Sequence, residues 1–199
     1  MTLTHLNDLQ LFFHPTSFAT STNTPNAPIS LTYIGDSATP HPRPLTTSKR
    51  FFLQLLRAHL QCLPQSQTRI PDLLNLIRNG WATALAVAEG VRSLSHCYIT
   101  DDVILSDERI AIRPCMLLPS LQTKVKVSFE VGVGIGTGGI EASVGARAEV
   151  IYGEKYKEDK MGEFLGQFVG DDVKGIDEMG CWANAVGDLA GRLKARGRK

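Results

Sequence analysis

The stretch TKVKVSFEVGV, residues 123–133, alternates apolar and polar side chains over its whole length. Val and Phe recur at every second position, and Lys, Ser and Glu occupy most of the positions between them. Because successive side chains of a β-strand point to opposite faces, one face of this strand packs on a core and the other meets water. The pattern is typical of an antiparallel sheet.

Neighbouring segments continue this sheet. Residues 142–152 alternate in the same way, and residues 108–118 predict a mixed strand. The glycine-rich link at residues 132–139 joins two of these strands as a long hairpin. An acidic stretch precedes the sheet, and we interpret it as a solvated loop between a helix and a strand; it contains Asp101, Asp102, Asp107 and Glu108.

Two long helices are predicted before the sheet, over residues 49–63 and 71–97. Each has apolar residues at i, i+3 and i+4 spacing, which places them on one helix face. Thr46, Thr47 and Ser48 are plausible N-caps of the first helix, and Pro71 suits the first turn of the second. Two shorter helices follow the sheet, marked by apolar residues within 161–168 and 182–193.

The amino-terminal part predicts one strand over residues 3–14, stopped by Pro15, and a second over residues 29–34. An extended link containing Pro40, Pro42 and Pro44 then leads to the first helix. The order is two strands, two long helices, three strands and two helices. This order indicates an α+β fold with helices packed on one face of antiparallel sheets.

Composition excludes several classes of protein. The chain has 199 residues, 43% of them hydrophobic and 21% charged, with a net charge of +1. These values fit one globular domain or two small ones rather than a disordered chain. They give no electrostatic preference for nucleic acid or an anionic membrane, and no apolar run approaches the roughly 20 residues of a membrane span. The four widely spaced cysteines predict reduced thiols in the cytosol or nucleus.

The glycine-rich link also fits the pattern G-x-G-x-x-G of a phosphate-binding loop, at residues 134–139. A dinucleotide site needs a helix after this pattern, so that the helix N-terminus faces the pyrophosphate. The following residues alternate like a strand instead. We therefore interpret the glycines as part of a hairpin.

We predict no catalytic, metal-binding or cofactor-binding residue. His59 with Cys62 and the pair His96-Cys97 supply zinc ligand types, but two adjacent residues do not easily face one ion. Cys115 and Cys181 lack a local signature of a nucleophile. The basic tail from Arg192 onwards either contacts phosphates or complements a helix dipole. A nucleic-acid-binding domain and an enzyme of unrecognised type remain the alternatives to an interaction module.

Several strings resemble the C-terminal region of the fungal kinetochore scaffold, the Spc-seven or blinkin family. They include LQLFFHP at 9–15, ISLTYI at 29–34, KRFFLQLLR at 49–57, TKVKVSFEV at 123–131 and VIYGE at 150–154. The resemblance covers most of residues 9–154. It implies tandem RWD-like domains with antiparallel sheets flanked by helices. The first would be residues 1–63, lacking its opening helix, and the second residues 70–199.

RWD domains are structurally similar to ubiquitin-conjugating enzymes, which place a His-Pro-Asn triplet shortly before a catalytic cysteine. Here His14-Pro15 is followed by Thr16, and the next cysteine is the distant Cys62. The resemblance therefore implies no conjugating activity.

The function that the resemblance implies is docking onto the MIND complex of the outer kinetochore, for chromosome segregation in mitosis. A MIND peptide or helix would lie in a groove or extend a sheet edge, at strand 108–118 or 142–152. Arg109, Arg113, Lys124 and Lys126 are the candidate contacts for an acidic peptide; the alternative is a solvated sheet face. Helices 49–63 and 71–97 are the candidates for a coiled-coil kinetochore partner. The expected location is the nucleus, at the centromere, without a cofactor, small-molecule substrate, membrane or nucleic acid.

Overall fold

The computed structural model describes residues 2–5, 8–12, 29–35, 45–63, 69–136, 139–153, 156–169 and 181–196. Contacts divide the chain into two compact units, Met1–Ala84 and Leu85–Lys199. Within the described ranges, no helix combines the length and the apolarity needed to cross a bilayer. The predicted link with Pro40, Pro42 and Pro44 and the pair His14-Pro15 lie outside these ranges.

The first unit contains a three-stranded antiparallel sheet. Its strands are β1 (Thr2–His5), β2 (Leu9–Phe12) and β3 (Ser30–Tyr33), in the order β1-β2-β3. The prediction of a single strand over residues 3–14 was wrong, since this segment folds back on itself with His5 opposite Leu9. The connecting residues include Asn7 and Asp8, whose side chains favour turns.

One helix covers this sheet. α1 (Thr47–Cys62) begins after Thr46, whose side chain accepts a hydrogen bond from the backbone N–H of Lys49. Its apolar stripe is buried, and it includes Phe51, Phe52, Leu56 and Leu60. Arg57 of the same helix donates from Nε to the backbone carbonyl of Leu31 on β3, at 2.7 Å. The predicted helix and its cap are confirmed.

The second helix, α2 (Ile70–Cys97), contributes its first half to the first unit. Trp81 is fully buried there, and its Nε1 donates to the carboxylate of Asp8 at 3.3 Å. The ring of Tyr33 lies 5.9 Å from the indole. These contacts explain why the division by contacts falls inside α2, whereas the predicted RWD-like ranges 1–63 and 70–199 divide before it. That these two ranges are RWD-like domains stays a prediction.

The second unit contains a four-stranded antiparallel sheet in the order β4-β5-β6-β7. The strands are β4 (Ile99–Ser106), β5 (Arg109–Leu118), β6 (Thr123–Gly136) and β7 (Gly139–Tyr152), with a 3-10 turn at Pro119–Leu121 before β6. The strand β4 was not predicted: Asp101 and Asp102, interpreted as loop residues, lie within it. β6 and β7 also extend further into the glycine-rich link than predicted, because glycine tolerates extended backbone.

The core of this unit lies on one face of the sheet. Val125, Val127, Phe129 and Val131 of β6 are fully buried there. α3 (Glu158–Gly166) and α4 (Trp182–Arg196) follow the sheet, and Trp182 stacks on Phe129 with 5.0 Å between ring centroids. α3 ends before Phe168, which was predicted to belong to it. The α+β class is confirmed.

The hydrogen bond between Trp81 and Asp8 is expected to stabilise the first unit. Trp81→Phe keeps an aromatic ring but leaves the Asp8 carboxylate without this donor, and Asp8→Ala removes the acceptor. In a double-mutant cycle, the two changes should couple by about 0.5–1.5 kcal/mol. Urea denaturation followed by far-UV circular dichroism measures this coupling, and strict additivity of the two single changes would contradict it.

Stability of the first unit is expected to depend on His59. Partial burial on α1 lowers the pKa of this imidazole below its usual 6.5, because desolvation disfavours the charged form. A group whose pKa is lower in the folded state loses its stabilising contribution as the pH falls below the unfolded-state value. When the pH is lowered from 7.5 to 5, the melting temperature of the wild type should therefore fall more than that of His59→Gln. A constant difference between the two proteins across this range would contradict the assignment.

Candidate functional site

On the side of the four-stranded sheet opposite its core, most side chains are partly or fully exposed, although Ala111 is buried; we call this side the outer face. Strand pairing places on the outer face the residues that alternate along each strand with those of the core. Across the strands these are Ile99, Asp101, Val103, Arg109, Ala111, Arg113, Cys115, Leu117, Lys124, Lys126, Ser128, Glu130, Arg147, Glu149 and Tyr152.

The outer face brings together all four cations that the sequence singled out. Arg109 and Arg113 are two steps of the β5 pleat apart, and Lys124 and Lys126 are one step apart on β6. The register pairs Lys126 with Cys115 and Lys124 with Leu117, so both lysines adjoin β5 directly. The period of two in the sequence is sufficient to place these side chains on a common face.

Carboxylates compensate part of this positive charge. Asp101 of β4 is the cross-strand neighbour of Arg113, and Glu149 of β7 is that of Lys126. Glu130 forms an ion pair with Arg147 across the β6–β7 pair. A shallow groove of about 580 Å³ on this face is lined by both signs of charge, since Glu158 and Asp159 of α3 also border it. The neighbouring carboxylates were not linked to these cations by any sequence pattern.

Lys124 has a different environment. It lies in a row between Leu117 of β5 and Tyr152 of β7, whose side chains are 58% and 69% exposed. Large apolar side chains exposed beside a charge are typical of protein contacts, because their burial supplies affinity while the charge orients the partner. This row, Leu117–Lys124–Tyr152, is the part of the outer face best suited to bind another protein.

The edge of the sheet provides a second means of contact. β5 was predicted to be an edge strand, but this was wrong because β4 pairs with it from Arg109 to Cys115. β4 pairs with no other strand in the described part of the chain, and exposes Ile99, Val103, Ile104 and Leu105. The other predicted edge strand, 142–152, is confirmed, since β7 ends the sheet on the other side, but α3 lies beside it, with Gly162 close to the backbone carbonyl of Ala146. The exposed edge for an added strand is therefore β4.

Comparison with known families gives one match. The model described as the Knl1 RWD C-terminal domain matches residues 1–88. Residues 1–88, less than half of the chain, are therefore similar to a Knl1-type RWD region. No curated protein and no solved structure matches the chain at a significant level.

The RWD region comprises β1, β2, β3, α1 and most of α2, so a small antiparallel sheet covered by helices agrees with an RWD-type fold. Knl1 RWD domains are non-catalytic protein-interaction domains associated with the kinetochore. The matched range includes Trp81, whose contacts join α2 to the sheet. The outer face lies beyond residue 88, in the second unit.

The other candidate chemistry of the sequence is placed as follows. Gly134 and Gly136 lie in β6 and Gly139 begins β7, so the glycine pattern forms a hairpin with no helix after it, as interpreted. Among the described residues, no three His, Cys, Asp or Glu side chains are grouped as metal ligands would be. Cys62 and Cys97 are exposed at the ends of α1 and α2. Cys181 donates from Sγ to the carbonyl of Phe168.

The assignment of the two faces can be tested with adjacent residues of β5. Leu117→Ser changes an exposed side chain and is expected to alter the free energy of unfolding by less than about 0.5 kcal/mol. Leu118→Ser changes a neighbour that is 1% exposed. That variant should lose about 2–5 kcal/mol, the range for removing a large core side chain. The stabilities of the two variants are compared by urea denaturation, monitored by Trp182 fluorescence in a Trp81→Phe background. Equal losses of unfolding free energy in both variants would contradict the observed register.

Proposed function

We propose that this chain is a non-catalytic interaction module that docks an outer-kinetochore scaffold onto the MIND complex, at the centromeres of chromosomes in the nucleus. The observation that carries the proposal is the match of residues 1–88 to the Knl1 RWD C-terminal domain. Similarity to a kinetochore interaction family supports chromosome segregation as the process, and MIND is the partner that the family resemblance of the sequence implies.

The second unit offers two features that suit a peptide or helix of a MIND subunit. The row Leu117–Lys124–Tyr152 supplies apolar area around a cation, and the edge of β4 supplies backbone groups for strand addition. The proposal assigns Arg109, Arg113, Lys124 and Lys126 to contacts with acidic side chains of the partner. Since Arg113 and Lys126 have carboxylate neighbours, Lys124 is the one for which we expect the largest effect.

A coiled-coil partner on α1 is less well supported. The apolar stripe of this helix is buried within the first unit, with Phe52 and Leu56 fully covered. A coiled coil requires such a stripe to be available to the partner helix. We therefore place the MIND contact on the sheet of the second unit.

Size-exclusion chromatography of the full chain with purified MIND complex at physiological salt tests the proposal. The expected result is co-elution as a stoichiometric complex. The double variant Leu117→Ser/Lys124→Glu removes apolar area and reverses the charge, and should weaken the affinity at least about tenfold in isothermal titration calorimetry. Both side chains are exposed, so the fold should be retained.

Lys194→Glu serves as the control, because it makes the same charge change at an exposed position of α4 away from the outer face. It should bind MIND like the wild type. Separate elution of a well-folded wild-type chain would contradict the docking function. Equal affinity of the double variant and the control would contradict the assignment to the row Leu117–Lys124–Tyr152.

A further inference from the structure

A second groove lies between α3 and α4, away from the outer face of the sheet. Its volume is about 350 Å³, and we call it the α3–α4 groove. Its apolar lining comes from both helices, with Met161 and Phe164 of α3 facing Leu189 and Leu193 of α4. This volume suits one or two side chains of a ligand rather than a flat protein surface, which would need several hundred Å² of contact on each side.

The rim of the α3–α4 groove is cationic. Lys157 and Lys160 border it on α3, Arg192 and Arg196 border it on α4, and no acidic side chain from the described part of the chain lines it. All four side chains are exposed. Within the described residues, none of them forms an ion pair with a carboxylate. By contrast with the outer face, the charge here is not compensated by neighbours, so the groove attracts anions.

Arg192 is held at the groove by an aromatic contact. Its guanidinium carbon lies 4.0 Å from the centroid of the Phe164 ring, in cation–π geometry. This contact fixes the guanidinium beside the apolar floor. A guanidinium in this position binds a carboxylate through two parallel hydrogen bonds, which a lysine cannot do.

The first turn of α3 separates its charges between the two grooves. Glu158 and Asp159 border the outer face, whereas Lys157 and Lys160 border the α3–α4 groove. Lys157 is also the N-cap residue, and it makes no side-chain hydrogen bond to the helix. Cations are disfavoured at a helix N-terminus, where Ser, Thr, Asp or Asn stabilises the helix instead. The two lysines are therefore not explained by the stability of α3.

We propose that the α3–α4 groove binds an acidic peptide segment of a partner protein. An apolar side chain of the segment enters the groove beside Arg192, whose guanidinium covers the Phe164 ring, and flanking carboxylates contact the four cations. The apolar floor favours a peptide over a nucleic acid, whose phosphates would use only the rim. The groove lies outside residues 1–88, and the proposal does not depend on docking to MIND.

Fluorescence anisotropy with a labelled amphipathic peptide tests the groove, using the full chain. In the probe, Leu recurs at helical i, i+3 and i+7 spacing and the other positions are Glu; in the control peptide, Gln replaces every Glu. The Glu probe is expected to bind at least about tenfold more tightly than the Gln peptide at low salt, with the difference falling as salt screens the charges. Equal affinity for the two peptides would overturn the proposal.

Variants then locate the binding. Lys157→Glu/Lys160→Glu changes only exposed side chains and should weaken the Glu probe at least about tenfold. Arg192→Ala should weaken it in the same direction, and far-UV circular dichroism verifies that each variant is folded. Lys194→Glu, beside the groove but not lining it, is the matched control and should bind normally. Loss of affinity in the control equal to that in the variants would overturn the proposal.

The other anions are distinguished in the same assay. Duplex DNA and phosphatidylserine vesicles are offered separately to the wild type and to Lys157→Glu/Lys160→Glu. Binding of either, together with failure to bind the Glu probe, would overturn a peptide site in favour of a phosphate-binding surface. Binding of the Glu probe alone, lost in the double variant, is the expected result.

Discussion

Burial of one face of β6 is the constraint on which the second unit depends. The pleat directs every second side chain of β6 to the same side, so its four apolar side chains are buried together. They are Val125, Val127, Phe129 and Val131. The neighbouring strands must then match this register, and α4 completes the core by stacking Trp182 on Phe129. The same alternation directs Lys124, Lys126, Ser128 and Glu130 to the outer face. The core and the candidate interaction surface are thus two consequences of one sequence pattern.

The first unit depends on a different kind of contact. Its strands are only four residues long, and so small a sheet is marginal without a helix packed on it. Trp81 of α2 and Arg57 of α1 each reach a group near the strands, the Asp8 carboxylate and the Leu31 carbonyl. These bonds join residues that are distant in sequence.

The periodic spacing of apolar residues in the sequence predicted most helices and strands and the common face of the four cations. It could not predict β4 or the carboxylates that lie beside those cations. β4 buries neither of its faces deeply, so Asp101, Asp102 and the consecutive apolar residues 103–105 show no alternation. The turn near Asp8 was missed because apolar residues on both sides of it suggested one continuous strand. The carboxylates that compensate Arg113 and Lys126 come from β4 and β7, and pairing between strands is not encoded by periodicity within one strand.

Compensation of charge separates the two surfaces of the second unit. On the outer face, Asp101, Glu130 and Glu149 reduce the attraction of its cations for an acidic segment, so affinity there must come mainly from the exposed apolar side chains around Lys124. Among the described residues that line the α3–α4 groove, no carboxylate competes for Lys157, Lys160, Arg192 or Arg196. A partner with a strongly acidic segment gains more electrostatic free energy in the groove, whereas a partner with an apolar strand gains more at β4 and the outer face. The two surfaces therefore differ in charge because one sequence segment, the first turn of α3, directs its acids to one surface and its bases to the other.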